Sequence, residues 1–176
     1  YLTNPMTLTP AYVPAAGETG MVMLVLTVQG ALSCAAETAR DTMLLTISPL
    51  PEVEAGAGAT ICAASTYTLA GTQSYCSSVE WSTSGDGAFN NVNLLTAVYT
   101  PGPNDIATGS VILTLTGHGS GSCSGETDTD QMTLTIDPMP TANAGPDELH
   151  CVQGPIAITG AAAGNNSGVQ WVTSGD

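Results

Sequence analysis

Asp130-Gln-Met-Thr-Leu-Thr-Ile136, running on into Pro138-Met139-Pro140, is a second writing of Asp41-Thr-Met-Leu-Leu-Thr-Ile47, which runs on into Pro49-Leu50-Pro51; the offset is 89 residues. The likeness continues both ways at that offset. Upstream, Gly20-Met-Val-Met-Leu-Val-Leu-Thr27 matches Gly109-Ser-Val-Ile-Leu-Thr-Leu-Thr116, and Cys34 matches Cys123. Downstream, Ala55-Gly56 matches Ala144-Gly145, Cys62 matches Cys151 and Gly71 matches Gly160. After one inserted residue, Val79-Glu-Trp81-Ser-Thr-Ser-Gly-Asp86 meets Val169-Gln-Trp171-Val-Thr-Ser-Gly-Asp176. Self-similarity at a fixed period is the mark of an array. The period divides the 176 residues into the C-terminal half of one repeat (1–49), a complete repeat (50–138) and the N-terminal part of the next (139–176). We therefore expect a segment of a longer protein, whose function is to be sought in the array.

Within the complete repeat, short alternating runs are separated by Gly, Pro, Asn and Asp, the pattern of an all-β sandwich with no helix of useful length. Strands are expected at Thr60–Cys62, Thr66–Ala70, Val79–Thr83, Thr96–Thr100, Val111–Thr116 and Met132–Ile136. Asp86-Gly87 turns the chain toward Phe89, and Pro101-Gly-Pro103 stops the fourth of these runs. Alternation points Tyr67, Leu69, Val79, Trp81, Val111, Leu113, Leu115, Met132, Leu134 and Ile136 inward. Val22, Leu24, Leu26, Met43, Leu45 and Ile47 take the same places in the first repeat, and Ile156, Ile158, Val169 and Trp171 in the third. About seven strands in about 90 residues, with a Trp on the third, is the size of an immunoglobulin-like domain. Tyr99 recurs as Tyr12, and Asp105 is expected to cap a tight turn.

Composition narrows the function. Fifteen acidic residues stand against one basic residue, Arg40, for a formal charge of -14. Nucleic acid and anionic lipid need clustered Lys or Arg and are excluded as partners. Such acidity serves solubility first. Outside a cell, where calcium is plentiful, it also suits weak divalent-ion binding, although Asp128-Thr-Asp130 and Gly145-Pro-Asp147-Glu148 are acidic pairs of the kind that cap turns. A Thr- and Ser-rich surface with one tryptic site fits an extracellular, cell-surface location, and no apolar run reaches the roughly 18 residues of a membrane span. No resident cofactor is implied. His118 and His150 do not recur and no Cys-x-x-Cys occurs, which disfavours zinc. No Gly-x-Ser-x-Gly elbow or recurring Ser/His/Asp set points to catalysis.

The words Ala55-Gly-Ala-Gly-Ala-Thr-Ile-Cys62, Trp81-Ser-Thr-Ser-Gly85, Tyr99-Thr-Pro101, Asp105-Ile-Ala-Thr-Gly-Ser-Val-Ile-Leu-Thr-Leu-Thr116, Gly121-Ser-Cys123 and Asp130-Gln-Met-Thr-Leu-Thr-Ile136 together resemble the PKD-like, immunoglobulin-like tandem repeats of giant bacterial surface adhesins. Gliding adhesins exported by type IX secretion belong to that family. The resemblance covers the whole chain and implies stalk or filament material, with no catalytic residues to transfer. Cell adhesion would then run through parts outside this segment, toward an external surface or a prey or host cell.

The proline linkers favour extended geometry and leave no Gly/Ser tether, so successive sandwiches are expected end to end in a stiff rod. At about 3.3 Å per residue, each unit would add on the order of 30–40 Å. Periodic cysteines in such a chain read as a disulfide framework, with Cys34, Cys62, Cys76, Cys123 and Cys151 as candidates. Two connectivities stand open. In one, the Cys123-type residue pairs with the Cys62-type residue of the adjoining repeat, because a bridge between the two within one sandwich exceeds the roughly 7 Å allowed between Cα atoms. In the other, Cys76 pairs with Cys123.

Further features are minor. Trp81 and Trp171 could serve as sugar platforms, but mid-strand positions beside Val79 and Val169 favour core packing. Tyr75 is the loop aromatic open to a binding role. Asn165-Asn-Ser167 is an N-glycosylation sequon, and Asp41-Thr42-Met43 resembles a bacterial O-glycosylation acceptor. Without lysine, isopeptide cross-links cannot form. The reading is a non-enzymatic shaft whose partners are its neighbouring repeats and other copies in a filament or bundle; the alternative is a carbohydrate-binding accessory module of a secreted hydrolase.

Overall fold

A computed structural model describes residues 1–151 and 154–174, so Gly175-Asp176, the end of the last matched block, lie outside the described residues. The chain is mostly β, with 44% in strands and 7% in helix. Two compact units are present: residues 1–53, 73–79 and 116–129 form one, and the described residues of 54–72, 80–115 and 130–176 form the other.

The strands run in chain order. β1 (Leu2–Thr3) pairs with β2 (Ala11–Tyr12), and β3 (Gly20–Gln29) pairs antiparallel with β4 (Thr38–Ile47) from Gly20↔Ile47 to Gln29↔Thr38. β5 (Glu52–Glu54) pairs with β8 (Thr72–Ser74). A four-stranded sheet has the order β6 (Ala59–Cys62), β13 (Thr127–Asp137), β12 (Ser110–Gly119), β9 (Cys76–Thr83). A three-stranded sheet has the order β10 (Ala88–Phe89), β11 (Val98–Thr100), β7 (Tyr67–Thr68). β14 (Thr141–Asn143) pairs with β15 (Ala162–Gly164) after the second linker. β6 runs parallel to β13, with Leu134 opposite Ala59 and Ile136 opposite Ile61.

Period-two alternation builds β12 and β13. Val111, Leu113, Leu115, Met132, Leu134 and Ile136 are all buried, whereas Thr133 and Thr135 between them are exposed. Threonine suits the wet face because its branched Cβ fits the pleat while its hydroxyl stays solvated. In the second unit these apolar residues pack with Leu69, Trp81, Ala97 and Tyr99, and each buried Val, Leu, Ile or Met side chain is worth on the order of 1.5–3 kcal/mol. Trp81 donates its indole N–H to Leu94 O at 3.0 Å, so the buried ring leaves no unsatisfied donor. Phe89 lies between Trp81 and Tyr99, with ring centroids 6.4 and 4.9 Å away. Gly71 sits in a tight place there: a Cβ would lie 3.0 Å from the side chains of both Leu115 and Trp81, which would have to give by a few tenths of an ångström.

Three expectations need correcting. Pro103–Thr108 forms a one-and-a-half-turn helix, α1, where only a turn was expected. Its signals are Pro at the first helical position and Gly109 in the left-handed conformation (φ 81°) at its end. Secondly, Trp171 and Val169 are 60% and 72% exposed, and Ile156 and Ile158 are 45% and 64% exposed. The strands that cover their counterparts have no equivalent after Pro140 within these 176 residues. Thirdly, Leu26 and Met43 are exposed, and Val22, Leu24, Leu45 and Ile47 are only half-buried. The β3–β4 hairpin carries apolar residues on both faces, Met21, Met23 and Leu44 among the exposed ones, and nothing equivalent to β6 and β9 precedes it in this stretch.

Candidate functional site: staples and junctions of the repeat

Among the described residues, Asp105 is the buried charged residue of the second unit, only 2% exposed. Its carboxylate accepts the Tyr99 hydroxyl at 2.6 Å and the backbone N–H groups of Gly102, Gly87 and Asp86 at 3.0, 3.1 and 3.2 Å. Asp86 returns the favour by accepting the N–H groups of Asn104 and Asp105 at 3.1 and 3.2 Å, which satisfies the first turn of α1. Thr83 Oγ1 completes the network 2.9 Å from the Tyr99 hydroxyl. Burial works against the charged form of Asp105, but the Tyr99 hydroxyl and the three N–H groups outweigh it and hold the carboxyl below its ordinary value. Burial, with the bond to Asp105, pushes the Tyr99 phenol up to about 12.

The same staple stands in the first unit. Tyr12 donates to Glu18 at 2.6 Å, and the Ala15 N–H donates to the other Glu18 oxygen at 2.7 Å. Leu2 faces Tyr12 across β1–β2 as Phe89 faces Tyr99 across β10–β11. Tyr12 leads to Glu18 as Tyr99 leads to Asp105, and Ala15 stands for Gly102. The Tyr12 hydroxyl and the Ala15 N–H hold Glu18 below its ordinary pKa. In sequence the tyrosine was visible, but its carboxylate partner changes identity from Glu to Asp, and the whole pair recurs at an offset of 87 residues instead of 89.

A second recurrence is the hairpin turn that carries Cys34 and Cys123. Gly30 and Gly119 donate to Glu37 O and Glu126 O at 2.8 and 2.9 Å, and Cys34 and Cys123 both donate to the residue three before at 3.0 Å. The left-handed residue is Leu32 in one and Gly121 in the other, each at φ 56°.

The five cysteines carry no bridge. Cys123 Sγ lies 3.7 Å from Ser48 O, and Ser122 Oγ lies 2.7 Å from Ser48 Oγ, which fastens this turn to the residue before Pro49-Leu50-Pro51. Cys62 Sγ lies 3.4 Å from Met139 Sδ, in the middle of Pro138-Met139-Pro140. Cys76 instead faces Ser74 O and Glu52 O at 3.4 and 3.7 Å, and a Cβ on Gly117 would meet its sulfur. Cys34 and Cys151 are exposed. No family model matches this chain, and no curated protein does either.

The remaining candidates take structural positions. Asp128 and Asp130 are anchors for the backbone beyond the first linker, accepting Val53 N–H at 2.9 Å and Ala55 N–H at 2.7 Å. Glu148 pairs with His150 at 2.6 Å and accepts the Thr159 hydroxyl at 3.2 Å. Among the described residues no three His, Cys, Asp or Glu side chains gather as a metal ligand set. Tyr75 is 58% exposed and left-handed (φ 60°). Asn165 is left-handed too (φ 50°) and follows β15 as Tyr75 follows β8, so it stands in the place of Tyr75, and Asn166 in that of Cys76. Its side-chain amide, the glycosylation candidate, donates to Met139 O at 3.2 Å. Thr42 is exposed on β4, with its N–H on Asp41. A groove of about 660 Å³ lies beside Ala144, Val169 and Trp171. Their counterparts Ala55, Val79 and Trp81 are buried in the complete repeat.

Proposed function

We propose that this chain is a structural repeat segment of a long secreted surface adhesin or extracellular filament, a stiff shaft without catalysis. Its units would be tandem immunoglobulin-like, PKD-like β-sandwiches, and its sequence resembles the gliding adhesin SprB, a type IX secretion substrate. The observation that carries this reading is the recurrence of one tyrosine–carboxylate staple, Tyr12 with Glu18 and Tyr99 with Asp105, each at 2.6 Å. A binding site needs its geometry once, whereas a shaft needs the same packing unit over and over.

Carboxylate anchors support the mechanical part. Asp128 and Asp130 hold the backbone N–H groups of Val53 and Ala55, so the chain leaving Pro49-Leu50-Pro51 is tied down within a few residues of the linker. Together with prolines that restrict φ, this leaves little free length for a flexible hinge. Trp81 speaks against the carbohydrate-binding reading, because the ring is 1% exposed and its N–H is taken by Leu94 O.

Small-angle scattering and electron micrographs of chains lengthened by successive copies of residues 50–138 test the proposal. A shaft grows by on the order of 30–40 Å per added repeat. A maximum dimension that stays constant or coils up as repeats are added would refute it, and tight glycan binding by the isolated chain would favour the accessory-module reading.

A further inference from the structure

Resting on the tandem reading, we infer that each junction between repeats is a disulfide site, closed by the Cys62-type residue of the repeat that ends there and the Cys123-type residue of the repeat that begins there. Two separate contacts carry the inference. At the second junction Cys62 Sγ touches Met139 Sδ at 3.4 Å. At the first junction Cys123 Sγ touches Ser48 O at 3.7 Å. Leu50 is the counterpart of Met139 at the 89-residue offset, so Ser48 and the Met139-type position are two residues apart on one linker. Along extended backbone that separation is on the order of 7 Å. Carried by the period onto a single junction, the two thiols lie against neighbouring parts of the same short segment.

Both positions belong to the period, Cys34 sitting in the same turn as Cys123 and Cys151 matching Cys62. Cys76 does not. Its sulfur is turned to Ser74 O and Glu52 O, while Cys123 is turned to Ser48 O. Bridge formation joins the two sulfurs, releases two protons to water and passes two electrons to a disulfide oxidant, such as oxidised glutathione or an oxidoreductase disulfide, which becomes two thiols. A bridge on each linker would carry tension past the prolines through a covalent bond.

The test inserts a second copy of residues 50–138 after Pro138 of the 176-residue chain and oxidises it in a glutathione buffer. Intact mass after alkylation should show the loss of two alkylatable thiols, and non-reduced peptide mapping a Cys62–Cys123 link. C62S in the first copy should abolish the link, and C62S in the second copy should leave it intact. A link between Cys76 and Cys123, or full alkylation of every thiol after oxidation, overturns the inference. As a check independent of the insertion, S48C in the 176-residue chain should bridge to Cys123, and Cys123 in the unsubstituted chain should stay alkylatable; failure of either also overturns it. Scattering on the inserted chain separates the two ideas, since a chain that lengthens by one repeat with all thiols free keeps the shaft and loses the staple.

Discussion

Tyr99 donates its phenol proton to Asp105 at 2.6 Å, and Tyr12 donates to Glu18 at the same distance. The two pairs differ in surroundings: Tyr99 and Asp105 are 0% and 2% exposed, while Glu18 is only half-buried. One geometry is thus repeated in a dry and a wetter setting.

Removing the hydroxyl by Tyr99→Phe takes a donor from a buried carboxylate, and a hydrogen bond to a charged group is worth about 1.5–3 kcal/mol. Urea unfolding followed by circular dichroism should show a loss of that size. Tyr12→Phe should cost less than Tyr99→Phe, because water can replace the hydroxyl at Glu18. Equal losses would show that burial does not set the strength of the staple.

Asp105 has a folded pKa below its unfolded value of about 3.9. Its contribution to stability is therefore complete above that unfolded value and is lost as pH falls through the folded one. Glu18, also lowered, acts in the same direction. Acidification relieves the self-repulsion of the -14 charge, which opposes this loss, so the comparison must be made against Asp105→Asn. The stability difference between wild type and that variant should shrink on acidification below about pH 4. At the other end, Tyr99 is raised to about 12, so stability should fall from about pH 10 up through that value. Tyr99→Phe should remove that alkaline limb and the last phenolate step in an ultraviolet titration.

Leu32 holds φ 56° where its counterpart Gly121 holds the same angle, and a left-handed non-glycine residue costs on the order of 1–2 kcal/mol. Leu32→Gly should stabilise the first hairpin by about 0.5–1 kcal/mol after glycine's larger unfolded-state entropy is counted. Gly121→Leu should do the reverse. Hydrogen exchange of the Glu37 and Glu126 amides, which close these turns, reads both effects.

Trp81→Ala empties a buried site and should cost about 3–5 kcal/mol, enough to threaten the unit. Trp171→Ala, at a ring 60% exposed, should change stability by less than about 0.5 kcal/mol in this chain. Chemical denaturation of the two variants separates them. When residues 87–138 are joined after residue 176 so that the third sandwich is complete, the Trp171 substitution should become as costly as that at Trp81.

With nine acidic residues and no basic one in the complete repeat (50–138), and a screening length of about 8 Å at physiological salt, side-by-side association should be promoted by salt or calcium. Light scattering across a salt and chelator series checks this; bundles that persist at low salt with chelator would contradict it.

Alternation and repetition are local properties, so much of the strand framework was legible. Val111 through Leu115 and Met132 through Ile136 are inward-facing as period two requires, although β12 and β13 run longer than their apolar cores, to Gly119 and from Thr127. Helix α1 escaped because Pro101-Gly-Pro103 reads as a strand stop, while Pro103 and Gly109 are equally good start and stop signals for a short helix. Asp105 read as a turn cap, and its burial was invisible because the groups that satisfy it come from Asp86, Gly87 and Tyr99.

From its residues alone this protein declares a period, a β-rich alternation, an acidic surface and a recurring pair of cysteines, because each is written in neighbouring residues or in their spacing. Only tertiary structure decides which copy of a motif is buried and what each polar atom touches. Trp81 and Trp171 share their surrounding words, yet one is covered and the other is not, since burial belongs to the strands laid over a residue. Asp128 reaches Val53 and Cys123 reaches Ser48 across 75 residues of chain, contacts that exist only once the backbone has folded back on itself.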